Sequence, residues 1–139
     1  MDRQVRWCGV VTQVGEEVPA FAQAGMLVLF GENAPPELAA ISLVHRTEVW
    51  NGPCAVGDIL RLDGQPFRIT AVGELANDHL RELGHVVIRF NGQHQPELQG
   101  DVCVEARPIP SLAPGAVLTI EAAPGAEATR AAGGQGERP

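Results

Sequence analysis

Residues 68–92 of this 139-residue chain read RITAVGELANDHLRELGHVVIRFNG, with a punctuation residue at every change of local structure. Ile69 to Val72 is a strand-forming run that stops at Gly73. Asn77 and Asp78 carry side-chain oxygens able to accept the free N–H groups of a first helical turn. Leu80 and Leu83, three apart, give that turn one apolar face. Gly84 suits the left-handed position that ends a helix. His85 to Phe90 then alternates, and Asn91-Gly92 is a strong hairpin signal. A helix of about two turns does not hold alone in water. The stretch therefore requires a sheet for the helix to cap, and the rest of the chain has to supply it.

Alternation in the second strand assigns faces. Val86, Ile88 and Phe90 point to the core, so His85, Val87 and Arg89 share the opposite side. An imidazole and a guanidinium flanking a valine make a small cationic surface.

The remaining segments fit the same scheme. Val5 to Val14 reads as a strand with a bulge at Gly9, and Met26 to Phe30 is an apolar run of the length of a buried strand. Glu16 to Gly25 is compatible with a short helix, and residues 31–40 with a turn followed by one helical turn. Ile41 to Val49 is the next strand. Asp58 to Leu62 and Pro66 to Val72 are joined by Asp63-Gly64, a hairpin turn. Residues 92–100 form a polar loop, and Asp101 to Glu105 and Val117 to Glu121 close the series. The chain has 16 Gly, 11 Pro and only 4% aromatics, which favours many turns and a core of Val, Leu, Ile and Ala. The expected fold is all-β: a single domain, residues 1–121, of about seven or more short strands with one short helix, in a barrel or sandwich. Residues 122–139 lack large apolar side chains and are expected to be a disordered tail.

Composition excludes several functions. A net charge of −7 argues against a nucleic-acid surface. All ten basic residues are Arg, so a Schiff-base lysine and a P-loop lysine are both ruled out. Three widely spaced cysteines without a CxxC pair indicate neither a disulfide framework nor a zinc knuckle, and fit a reducing cytoplasm. No run is long and apolar enough for a membrane helix. Neither Ser42 nor Ser111 sits in a nucleophile elbow. His79 and His85 are six apart across a helix end, which is not a metal-ligand spacing, so no metal and no cofactor are expected.

Four histidines remain. His94 lies in the polar loop and reads as exposed; His79 faces solvent on the helix. His85 is as suited to a structural hydrogen bond as to catalysis. His45, within ISLVHRTEV, shares a strand face with Leu43 and Thr47. On pattern alone it is a partly buried histidine satisfied by the backbone.

The run AVGELANDHLRELGHVVIRFNG resembles the glucitol/sorbitol-specific IIA component of the bacterial sugar phosphotransferase system, through a shared AVG…LRELGH…RF.G signature. The resemblance extends more thinly from Val5 to Glu121. It implies a β-barrel-like fold and a phosphocarrier activity in the cytoplasm. It also implies that His45, directly after an apolar pair in its strand, with Val44-His45 as the match, is the phosphate-accepting histidine. Some relatives carry a second histidine two positions on, where this chain has Thr47, so a two-histidine mechanism is not expected. The implied donor is the histidine phosphocarrier protein, and the implied acceptor is a IIB component working with a IIC transporter for a sugar alcohol. His85 and Arg89 are the supporting candidates. The competing expectation is a non-catalytic barrel module that keeps the fold.

Overall fold

The computed structural model describes residues 4–123. Among these, eight strands and three short helices follow one another along the chain. They are β1 (Val5–Val14), α1 (Val18–Gln23), β2 (Met26–Gly31), α2 (Pro36–Ala39), β3 (Ser42–Trp50), β4 (Ile59–Leu62), β5 (Gln65–Val72), α3 (Ala76–Leu83), β6 (Val86–Arg89), β7 (Asp101–Val104) and β8 (Val117–Glu121). The strands close into a barrel in the order β1-β3-β2-β6-β7-β5-β4-β8. Pairs β2–β3 and β6–β7 are parallel and the other six pairs are antiparallel. Closure leaves no sheet edge to template aggregation, which suits strands as short as four residues.

Alternation sorts each strand into an inner and an outer row. Trp7 and Val11 of β1, Leu27 and Leu29 of β2, Phe67 and Ile69 of β5 and Leu118 of β8 all point inward and are at most 2% exposed. Val86, Ile88 and Phe90 are buried on the core side, as the pattern requires. Each such side chain stabilises the fold by roughly 1.5–3 kcal/mol, far more than the backbone propensity of a four-residue strand. With few aromatics available, Phe67 and Phe90 meet edge to face at 5.2 Å.

Local signals were kept where tertiary structure left them free. Asp63 and Gly64, at φ 51° and 93°, turn the β4–β5 hairpin, and Leu62 faces Gln65 across it. The register of β1 shifts between Cys8 and Gly9, where a bulge was expected. Three helices form rather than one. The two additional ones, α1 and α2, occupy the segments read as a short helix and a helical turn.

Two signals were overridden. Asn77 does not cap α3, which begins a residue earlier and has no side-chain cap. Its amide instead accepts from the Cys54 N–H at 2.9 Å and donates to the Cys54 carbonyl at 3.0 Å, pinning the loop before β4. Asn91-Gly92 does not make a hairpin, because β6 pairs with β7 in parallel and the chain must first return to the strand's starting end. The asparagine side chain accepts from the Gln93 N–H within the loop, and Gly92 takes its left-handed φ of 65° there.

Ala122 is buried, and its N–H donates to the Gln4 carbonyl at 2.8 Å, so the barrel extends one residue beyond β8. The rest of the expected tail, from residue 124, lies outside the described residues.

Candidate functional site

Strand β3 lies between β1 and β2, and its inner row runs Leu43, His45, Thr47. Leu43 is in the core, Thr47 is exposed at the rim, and His45 sits between them with no exposed surface. A buried imidazole needs partners for its polar edges. Nε2–H donates to the Gly84 carbonyl at 2.8 Å, while Nδ1 is buried with no hydrogen-bond partner. Nδ1 is therefore the bare nitrogen of a neutral ring.

The seat around this ring is built from two glycines and a tryptophan. The Trp7 and His45 rings stand perpendicular, with centroids 5.3 Å apart. A Cβ on Gly9 would lie 2.8 Å from the indole and 3.0 Å from Nδ1. A Cβ on Gly84 would lie 3.0 Å from the imidazole Cε1 and 2.8 Å from the Gly31 nitrogen. Gly84 also carries φ 68° as the left-handed end of α3. Its helix-ending role is local, but its contact with a residue 39 positions away depends on β2 lying between β3 and β6. Trp7 was not identified from sequence, although the alternation of Trp7, Gly9 and Val11 along β1 is a usable signal.

Burial pushes the His45 imidazole below its ordinary pKa, against the opposing pull of the Gly84 carbonyl and of Glu32. The folded chain thus resists a proton that the unfolded chain takes up near pH 6.5. His45 contributes its full share of stability above about that pH, and the share is lost as pH falls through the lowered folded value. Melting temperatures measured from pH 7.5 down to pH 5 should consequently fall more steeply for wild type than for His45→Gln, which cannot titrate. Parallel curves would mean that the ring protonates freely in its seat.

An open pocket of about 490 Å³ lies against the seat, between the β2–α2 turn and the end of α3. His45 and Gly84 line it, together with Thr47, Leu83 and two arginines, Arg46 and Arg81. Both guanidinium groups are about half exposed: Arg46 rests on Glu48 at 2.7 Å and Arg81 on Glu82 at 3.2 Å. Leu83 is 50% exposed at the same rim.

The supporting candidates fall in different places. His85 directly follows Gly84, and its Nδ1–H donates to the Leu29 carbonyl at 3.1 Å while its ring packs on Phe30, another pocket residue. Arg89 is at the other end of β6, roughly 13 Å further along an extended strand. There it pairs with the buried Asp101 at 2.7 Å and with Glu97 at 3.3 Å, and it does not line the pocket. His79 stacks on His85 with centroids 6.4 Å apart, and His94 is exposed. No helix among the described residues is long and apolar enough to cross a membrane, and no metal-binding cluster of three or more His, Cys, Asp or Glu occurs among them.

Comparison with known proteins bears on this geometry. The family profile described as the glucitol/sorbitol-specific IIA component of the phosphotransferase system matches residues 6–119. Glucitol/sorbitol-specific EIIA components of Shigella flexneri and of Escherichia coli K12 are each 38% identical over 112 residues, covering 80% of this chain and 90% of theirs. The crystal structure of a phosphotransferase system IIA component from Enterococcus faecalis V583 aligns with a TM-score of 0.68 at 22% identity, over 80% of this chain and 96% of that one. The strand bearing His45, the helix that ends at Gly84 and all of the barrel except the outer ends of β1 and β8 lie within the matched span, and the chain belongs to the glucitol/sorbitol-specific IIA component family of the phosphotransferase system.

Proposed function

We propose that this chain is a cytoplasmic phosphocarrier that accepts a phosphoryl group on His45 from the histidine phosphocarrier protein. It passes the group to a cysteine of a IIB component, for uptake of a sugar alcohol of the glucitol type through a IIC transporter. The observation that carries this reading is a neutral, oriented imidazole at the wall of a pocket that also holds two arginines. Phosphoryl transfer asks mainly for in-line positioning and for charge on the equatorial oxygens. A ring nitrogen's lone pair forms the new N–P bond as the donor's N–P bond breaks, its electron pair returning to the donor imidazole. The proton that His45 sheds is balanced by one taken up by the donor ring.

Arg46 and Arg81 serve the phosphoryl oxygens, to which a guanidinium fork is matched. His85 supports the site by anchoring the residue after Gly84, and Arg89 acts at a distance, by holding the far end of β6 on Asp101. The chain incubated with phosphoenolpyruvate, enzyme I and the phosphocarrier protein should gain one acid-labile, base-stable phosphoryl group. Absence of such a group would leave the non-catalytic barrel module as the reading.

The arginines give a graded expectation. Arg81→Gln and Arg46→Gln should each slow phosphohistidine formation several-fold rather than abolish it, because half-exposed charges are partly screened. The double variant should lose more, and rates compared at low and high salt should converge. Two single variants with unaltered rates at low salt would remove both arginines from the mechanism.

A further inference from the structure

In the structure described above, His45 is sealed. Nε2 is occupied by the Gly84 carbonyl, and Nδ1 lies over Gly9 and Trp7 without solvent or partner. A phosphorus atom has to approach a ring nitrogen in line to about 3 Å, and neither nitrogen offers that path although a pocket opens beside the ring. The imidazole must therefore leave its seat to react. The two glycine walls are backbone, fixed by the barrel register and by the left-handed end of α3. Trp7 is the side-chain wall. Its Nε1–H donates to the hydroxyl of Thr47 at 3.4 Å, which ties the indole to the rim two residues beyond His45 on the same strand face.

We propose that Trp7 is a positioning residue for His45: the indole, tethered by Thr47, holds the imidazole in the sealed seat, and the reactive form is the one swung out into the rim pocket. A phosphoryl group on Nε2 would collide with the Gly84 carbonyl, and one on Nδ1 would collide with Gly9 and Trp7. The phosphorylated ring therefore stays outside the seat, on the side where Arg46 and Arg81 lie. The seat keeps the unphosphorylated ring from reacting with small electrophiles, and docking of the donor supplies the opening. This consequence rests on His45 being the acceptor, whereas the seat itself can be tested on the chain alone.

Diethylpyrocarbonate modifies neutral, accessible imidazoles, and mass spectrometry of the digest gives a rate for each histidine. In wild type, His45 should react at least about tenfold more slowly than the exposed His94, as expected of a group reached only through local opening. Trp7→Phe and Trp7→Leu should speed His45 several-fold and leave His94 unchanged. Thr47→Val, at an exposed position, should give a smaller increase that Thr47→Ser does not. Proton NMR titration should show the His45 pKa moving up towards its ordinary value in Trp7→Leu. Should Trp7→Leu fail to fold, Trp7→Phe and Thr47→Val carry the same comparison. Wild-type His45 reacting as fast as His94, or folded Trp7 variants with wild-type His45 rate and titration, would overturn the proposal. A chain with a sealed His45 that takes no phosphate would instead count against the phosphocarrier reading, so the two failures are distinguishable.

Discussion

His45→Ala should take up no phosphate from the phosphorylated carrier protein, under conditions in which wild type is fully labelled and His94→Ala behaves as wild type. Under the proposed function the effect is total, because His45 is then the covalent acceptor rather than an aid to it. Alanine also removes a buried ring and orphans the Gly84 carbonyl, so a folding defect has to be separated from a chemical one. His45→Gln does this. Its amide keeps a donor for Gly84 and much of the volume, but offers no nucleophilic nitrogen. Both variants should remain unlabelled, with the glutamine variant retaining a cooperative melt. Acid-labile label persisting in folded His45→Gln would move the acceptor elsewhere, and His85, one residue from the seat, would be tested next.

Gly84→Ala is expected to have the second largest effect, on stability and on the site together. A left-handed backbone at φ 68° costs an alanine about 1–2 kcal/mol. The added methyl would lie 2.8 Å from the Gly31 nitrogen and 3.0 Å from the His45 ring, and overpacking of this kind costs roughly 1–3 kcal/mol more. Gly92→Ala is the matched control, because Gly92 has φ 65° and its nearest such neighbour is 3.8 Å away. Denaturant unfolding should show Gly84→Ala losing about twice as much stability as Gly92→Ala, or more. It should also make His45 more reactive towards diethylpyrocarbonate, since the methyl presses the ring out of its seat. Equal losses in the two variants would mean that the Gly31–Gly84 approach is loose.

These expectations show which parts of the site are legible in the sequence. That His45 faces inward follows from alternation with Leu43, and that Gly84 ends a helix follows from its place after a short amphipathic run. That the two meet does not follow, because the contact spans β3, β2 and the start of β6, and no local pattern encodes the order of strands around a barrel. Arg89 illustrates the same limit in one dimension. Alternation put it on a face with His85, but face says nothing about distance along the strand, and the two ends of β6 meet different neighbours. Asn77 and Asn91-Gly92 were ambiguous for another reason: a side chain suited to a cap or a hairpin is equally suited to other backbone groups. The family resemblance supplied what periodicity could not, namely which of four histidines to favour.

The pairing of β1 with β8 has a consequence for how the molecule is made. Among the barrel strands, β1 is synthesised before the others and is flanked by β3 and β8, and Gln4 meets Ala122 across the join. Until residue 121 has emerged, β1 and β4 each lack a neighbour and present free backbone edges. The two parallel pairs add crossovers whose loop entropy is lost before their contacts form. Nascent chains arrested before β8 should consequently remain protease-sensitive along their whole length, with protection arriving late and all at once. His45, on β3, therefore reaches its seat between Gly9, Gly84 and Trp7 only once β8 has closed the barrel, so its ring stays unshielded until the last of these strands is in place.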